Sequence, residues 1–188
     1  DRDKEGLLVA AREGTLLLDE IANTTLALQA KLLRALQERE IRPLGATDAV
    51  PFRARVLAAT NRDLRRETRD GKFREDLLFR LNGLSIVIPP LRDRKGDIPL
   101  LLAHFLQKTS DQVGRRISRI SDEALQALTR YDWPGNVREV ENCIERAAAL
   151  ARTDTITMDD LPESIRSAAI VSWSEKKGEH RLIEEALR

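Results

Sequence analysis

Short apolar runs alternating with helical periodicity set the tightest limit on what this chain can fold into. Thr15-Leu16-Leu17-Leu18 is one such run, ended by Asp19-Glu20, and Arg55-Val56-Leu57-Ala58-Ala59-Thr60 is a second, ended by Asn61. Each reads as a short buried strand, since apolar runs of this length bounded by polar residues suit a sheet covered on both faces. Between them, Leu28, Leu32, Ala35 and Leu36 recur at helical spacing from Leu26 to Glu38, with no glycine or proline to interrupt them. Pro43 and Gly45 end that pattern. Helical sequence resumes over 64 to 81, with a break near Gly71. Leu84-Ser85-Ile86-Val87-Ile88 then predicts a third strand, stopped by Pro89-Pro90, which cannot continue a ladder. Strands alternating with helices imply a parallel, three-layer α/β sheet.

Behind the two prolines the pattern changes. Segments 97 to 109, 121 to 130 and 136 to 151 all predict helices, and Val137, Val140, Ile144, Ala147 and Ala151 line one face of the last. A boundary is expected at the Pro89-Pro90 turn, with a small all-α domain after it. Residues 166 to 188 shift again, to a polar linker and a charged helical pattern from Ser174 that has too little apolar surface to stand alone.

Composition narrows the function. With 32 basic and 31 acidic residues the formal net charge is +1, so no bulk field draws the whole chain onto nucleic acid. Cys143 is the single cysteine and cannot close an intramolecular disulfide, and neither it nor His104 and His180 shows metal-ligand spacing. No signal peptide or spanning apolar segment is visible, which leads to the expectation of a cytoplasmic protein with no membrane partner. Met158 is the only methionine, so Asp1 reads as a cut end within a longer reading frame.

In open α/β sheets ligands bind beyond the carboxyl ends of the strands. If their strands are neighbours, Asp19-Glu20 and Thr60-Asn61 project toward one crevice, an arrangement that suits phosphate hydrolysis. An aspartate there can hold Mg2+, an adjacent carboxylate can polarise the attacking water, and an asparagine can position it. Taken alone, the acidic pair is equally compatible with a cap on the helix that follows.

Six motifs then occur in order. They are Gly14-Thr15-Leu16-Leu17-Leu18-Asp19-Glu20-Ile21, Leu28-Gln29-Ala30-Lys31-Leu32-Leu33-Arg34, Ala58-Ala59-Thr60-Asn61-Arg62-Asp63-Leu64, Phe73-Arg74-Glu75-Asp76-Leu77 through Arg80-Leu81-Asn82, Pro89-Pro90-Leu91-Arg92, and Trp133-Pro134-Gly135-Asn136-Val137-Arg138-Glu139. Together, over about residues 1 to 165, the chain resembles the central AAA+ domain of sigma-54-dependent transcriptional activators, the bacterial enhancer-binding proteins.

The resemblance implies a partial AAA+ P-loop NTPase: residues 1–90 as the C-terminal part of the α/β ATPase subdomain, 91–165 as the α-helical lid, and 166–188 as a linker and first helix leading to a helix-turn-helix domain. It implies ATP and Mg2+ as ligands, with Asp19 and Glu20 as the Walker B pair, Asp19 on the metal through the nucleotide and Glu20 as catalytic base. Thr60-Asn61 becomes the first sensor and Arg138 the second. Arg74 and Arg80 become arginine fingers that reach the nucleotide of the next subunit in a hexameric or heptameric ring. The implied partner is sigma-54 RNA polymerase, and enhancer DNA is reached only through the C-terminal domain.

Geometry adds two remarks. Positions six apart on a regular helix are about 240° around the axis, so Arg74 and Arg80 cannot both face one phosphate unless the helix ends between them or curves; one of the two is alternatively an intersubunit ion-pair residue. Asn136 reads as an N-cap, which puts Arg138 in a first turn where the helix dipole disfavours a cation by about 0.3 to 1 kcal/mol, so a negative partner is expected: a nucleotide, or nearby Glu139 or Glu141.

A phosphate cradle of the form G-x-x-x-x-G-K-S/T is absent, the one Gly-Lys pair being Gly71-Lys72 followed by Phe73. In the family that loop, and the Gly-Ala-Phe-Thr-Gly-Ala loop that grips sigma-54, lie upstream of the Gly14 motif. These 188 residues alone are therefore expected neither to hydrolyse ATP nor to bind enhancer DNA. Two other classes stay open: a non-hydrolysing oligomerisation or regulatory module joined through the Arg74 and Arg80 surface, and a DNA-binding helix-turn-helix over Trp133 to Ala151, which the small net charge weakens.

Overall fold

Threonine 25 decides where the best-defined helix of the first half begins. Its hydroxyl accepts from the Leu28 amide at 3.3 Å, satisfying one of the free donors of the first turn. The computed structural model describes residues 6–43, 47–113 and 117–169, and divides the chain into two units, Asp1–Ile86 and Val87–Arg188. The first unit runs α1 (Leu7–Ala10), β1 (Thr15–Leu18), a 3₁₀ turn (Ile21–Asn23), α2 (Leu26–Glu38), β2 (Glu40–Ile41), β3 (Val50–Pro51), β4 (Arg55–Ala58), α3 (Leu64–Arg69) and α4 (Glu75–Leu81). β1 and β4 pair in parallel from Thr15 opposite Arg55 to Leu18 opposite Ala58, and β2 pairs antiparallel with β3. Arg39, in the left-handed region at φ 56, ends α2.

Helix α2 turns Gln29, Leu32, Leu33, Ala35 and Leu36 inward, where they meet Ile21, Phe52, Ala54, Phe73 and Leu77. Each fully buried leucine or phenylalanine there contributes about 1.5–3 kcal/mol. The face is rotated from the one the sequence suggests, for Leu28 is 45% exposed and Gln29 fully buried.

Two expectations about the sheet need correction. β1 and β4 are covered on one face, not two: Leu16, Leu18 and Val56 pack on the core, while Leu17 is 61% and Leu57 45% exposed. The run 84 to 88 forms no strand, and Leu84, Ile86, Val87 and Ile88 are exposed. Apolar sequence makes a strand only where a backbone ladder is available, and among the described residues nothing pairs with this run. The break near Gly71 is present: the chain leaves α3 and turns through Gly71 at φ 71, a conformation natural to glycine, before α4 begins.

The second unit contains 3₁₀ turns at Leu91–Asp93 and Lys95–Asp97, α5 (Ile98–Val113), β5 (Arg119–Ile120), α6 (Asp122–Arg130), α7 (Asn136–Leu150), β6 (Thr155–Ile156), a 3₁₀ turn at Met158–Asp160, and helical backbone over 163–169. α5 packs along α7, and Ser121 caps α6 by accepting from the Ala124 amide. Leu91, Ile98, Leu102, Leu128, Trp133, Val140, Ile144 and Ile156 form the centre of its core. Trp133 is buried with its indole N–H donating to the Leu128 carbonyl at 2.9 Å, and its ring meets Tyr131 edge-on. The expected linker does not start at 166: residues 166–169 are helical, because Ile165 is buried and Ala169 packs on the same core. The charged helix expected from Ser174 lies outside the described residues.

Candidate functional site

The parallel register brings the two polar strand ends together. Beyond the last ladder pair the Ala59 amide donates to the Leu18 carbonyl at 2.9 Å and the Ile21 amide to the Ala59 carbonyl at 3.0 Å. Asp19-Glu20 and Thr60-Asn61 therefore leave the carboxyl ends of adjacent strands at one edge, and all four residues are exposed. Glu20 stands at the N-cap position of the Ile21–Asn23 turn without a side-chain capping bond, and α2 is capped by Thr25. Asp19 Oδ1 accepts from the Glu20 amide at 3.0 Å. Glu20 is held in the left-handed region at φ 51, which costs a residue with a Cβ about 1–2 kcal/mol. Its Oε2 accepts from the Asn23 side-chain amide at 2.6 Å. Thr60 Oγ1 accepts from the Arg62 amide at 3.1 Å, and the Asp63 carboxylate caps α3 through the Arg65 and Arg66 amides.

Arg74 and Arg80 stand at opposite ends of α4 and are not brought together. Arg74 is the N-cap residue, outside the regular helix, so the argument from helical angles does not apply to it. Its guanidinium binds Asp76 through Nε and Nη2 at 3.0 and 2.7 Å. Arg80, in the last turn, donates from Nη2 to the Leu36 carbonyl at 2.9 Å, and borders a cavity of about 380 Å³ with Leu36, Arg39, Arg55, Val56 and Leu81.

Arg138 belongs to the second unit and is exposed near the start of α7. Asn136 is not the N-cap of that helix. Gly135 is, and Asn136 is the first helical residue at φ 53, its Oδ1 accepting from the Leu91 amide at 2.8 Å. The carboxylates considered as partners for Arg138 are engaged elsewhere: Glu139 accepts from the Gly135 amide at 2.7 Å, and Glu141 from Lys108 Nζ at 2.6 Å. The cation thus stays exposed in the positive end of α7.

Sequence reasoning passed over Gln29, a fully buried amide that binds the loop leading into Arg74. The available signal was a polar residue on the stripe of Leu32, Leu33 and Leu36. Among the described residues no cluster of three or more His, Cys, Asp or Glu side chains is placed to hold a metal, and no helix is long and apolar enough to cross a membrane.

A parallel strand pair with an acidic end beside a Thr-Asn end, followed by a helical unit, defines an AAA+ α/β portion with its lid. Residues 1–87 match the Sigma-54 interaction domain family and residues 92–177 match the AAA+ ATPase lid domain family. Residues 1–87 therefore belong to the sigma-54 interaction domain family and residues 92–177 to the AAA+ lid family. The chain is 47% identical over 188 residues to the regulatory protein AtoC of Escherichia coli K12, covering 98% of this chain and 41% of that protein. It is 52% identical over 153 residues to the DNA-binding transcriptional activator HyfR of the same strain, covering 81% and 23%. The solved structure of NtrX from Brucella abortus in complex with ADP superposes with a TM-score of 0.82 at 34% identity, covering 89% of this chain and 39% of that one, and its complex with ATP gives the same score. The chain thus spans about two fifths or less of the length of these relatives.

Proposed function

We propose that this chain is part of the ATPase module of a sigma-54-dependent transcription activator, which couples ATP hydrolysis to remodelling of the sigma-54 RNA polymerase closed complex. The observation that carries this reading is the β1–β4 register, which puts Asp19-Glu20 and Thr60-Asn61 at one edge of a parallel sheet. The known complexes of NtrX with ADP and ATP support nucleotide as the ligand.

The residues fit a magnesium ion. Asp19 is an exposed, hard oxygen donor, and among the described residues its Oδ1 accepts from the Glu20 amide. When bound, that ion would neutralise phosphate charge. Glu20, with Oε2 held by Asn23, would use Oε1 to take a proton from the attacking water. Thr60 and Asn61 contact the γ-phosphate and the water. Arg74 and Arg80 reach the nucleotide of the next subunit in a hexameric or heptameric ring, where a guanidinium stabilises spreading transition-state charge. Arg138 meets the nucleotide from the lid, which would relieve its unfavourable position in the first turn of α7. The protein would act in the cytoplasm and reach enhancer DNA through a C-terminal domain.

The test is phosphate release from ATP by a chain extended to the relatives' length. Activity should rise with protein concentration, and Glu20→Gln and Arg80→Ala should each abolish it, the former with ATP binding kept. An inactive extended protein that still assembles would favour the non-hydrolysing oligomerisation module.

A further inference from the structure

Gln29 and Thr109 are the buried polar side chains among the described residues, and Gln29 is wholly excluded from solvent. Both of its N–H donors and its oxygen are used. Nε2 donates to the Thr24 carbonyl at 2.9 Å and to the Lys72 carbonyl at 3.0 Å, and Oε1 accepts from the Arg74 amide at 2.9 Å. Two of these bonds span more than forty residues of sequence and meet in the loop that enters α4. The third ends on Thr24, tied to the Glu20 turn by bonds from the Asn23 amide to the Glu20 carbonyl and from the Thr24 amide to the Ile21 carbonyl. From the other side, the Lys72 and Phe73 amides both donate to the Glu67 carbonyl, and the Phe73 ring is buried.

This pattern is specific to a primary amide of this length. Methionine fills the volume but takes the Gln29 partner away from two carbonyls and one amide N–H that are only partly exposed to water. A glutamate anion would press its charge against the Thr24 and Lys72 carbonyls. Asparagine is one methylene too short to reach both strands of contact.

We infer that Gln29 is a positioning residue that fixes Arg74 relative to the Glu20 turn. The inference rests on the proposed roles of those two residues. Under that reading Glu20 serves the subunit's own nucleotide and Arg74 that of its neighbour, so one buried amide joins two nucleotide sites. Misplacing a catalytic group by about 1 Å costs on the order of a hundredfold in rate, whereas binding of ATP depends little on a residue that touches none of it.

In a chain extended to the relatives' length, Gln29→Met should lower kcat for ATP by about tenfold to a hundredfold with KM changed less than about threefold and ring assembly by sedimentation unchanged. Gln29→Glu, close in shape, should be similarly impaired at pH 8 and should recover relative to the parent as pH falls toward 6. Burial between carbonyls raises the pKa of a carboxyl, and the neutral acid restores one donor and one acceptor. A purely structural role would lower the folded fraction, itself pH-dependent in Gln29→Glu by linkage, and would leave kcat per folded ring unchanged. Amide exchange at Arg74 should quicken in Gln29→Met while the Leu33 and Leu36 amides stay protected. An active parent whose Gln29→Met variant keeps its kcat, or a Gln29→Glu variant without recovery at low pH, overturns the inference alone. An inactive parent overturns the proposed function, and this inference with it.

Discussion

Arg74 grips the carboxylate of Asp76, two residues further on, with two nearly parallel hydrogen bonds at 3.0 and 2.7 Å. The bond from Arg74 holds the Asp76 carboxyl below the usual carboxylate range and, reciprocally, raises the guanidinium. A depressed folded pKa stabilises the folded state above the unfolded pKa, and that contribution is lost as pH falls through the folded value. Both side chains reach solvent, so water and salt screen the pair and its weight in stability is small. The expected outcome is therefore spectroscopic. Carbon NMR titration of Asp76 should give a midpoint below the ordinary aspartate value, and Arg74→Ala should raise it; an unchanged midpoint would mean the pair does not persist in solution.

Cys143 faces the core of the second unit, and burial, with a smaller effect from the charge of Glu139, pushes its thiol up to about 12. Thiolate is the reactive form, so the folded protein at pH 8 presents essentially none. An aromatic disulfide reagent should label Cys143 only as fast as the second unit opens, and labelling should accelerate steeply near the urea midpoint. Rapid labelling without denaturant would contradict the buried position.

The legibility of this chain differs between its halves for a physical reason. Helices α2, α5, α6 and α7 carry their own pattern, because an amphipathic stripe and a cap are local properties of sequence. The bounds of α6 and α7 accordingly fall within a residue or so of the expected 121 to 130 and 136 to 151. A strand depends on a partner elsewhere. Leu84 to Ile88 has strand composition and no ladder, and Leu17 and Leu57 look like core residues yet stand exposed. The juxtaposition of Asp19-Glu20 with Thr60-Asn61 was legible only on the condition that their strands are neighbours, which the parallel β1–β4 register meets. The partners of Arg74, Arg80 and Gln29 were not. Asp76, the Leu36 carbonyl and the Lys72 carbonyl are met through turns whose geometry no periodicity encodes.

Trp133 is, among the described residues, the largest side chain wholly buried in the second unit, and it sits at φ 51 with its indole N–H on the Leu128 carbonyl. Trp133→Ala removes that volume and the donor together and should cost about 3–5 kcal/mol. Trp133→Phe keeps most of the ring and leaves one carbonyl without its partner, a loss of about 1–3 kcal/mol. Urea unfolding followed by far-ultraviolet circular dichroism should rank the parent above Phe and Phe above Ala. Equal midpoints for the two variants would show that the hydrogen bond, and not packing, sets the cost.

Asn136 combines a backbone demand with a side-chain bond, and substitutions can separate them. It occupies the left-handed region at φ 53 while its Oδ1 accepts from the Leu91 amide at 2.8 Å, fastening the turn at Leu91–Asp93 to the start of α7. Asp keeps an acceptor and tolerates that backbone, so Asn136→Asp should be the mildest change. Gly suits the backbone but abandons the Leu91 amide, which costs about 1–3 kcal/mol. Ala loses the acceptor and also carries about 1–2 kcal/mol of left-handed strain, so it should be the most damaging. The expected order of urea midpoints is parent, then Asp, then Gly, then Ala, with amide exchange at Leu91 accelerated in Gly and Ala but not in Asp. If Gly and Ala were equally destabilised, the positive φ would carry no strain, and the side-chain bond alone would explain why an asparagine stands there.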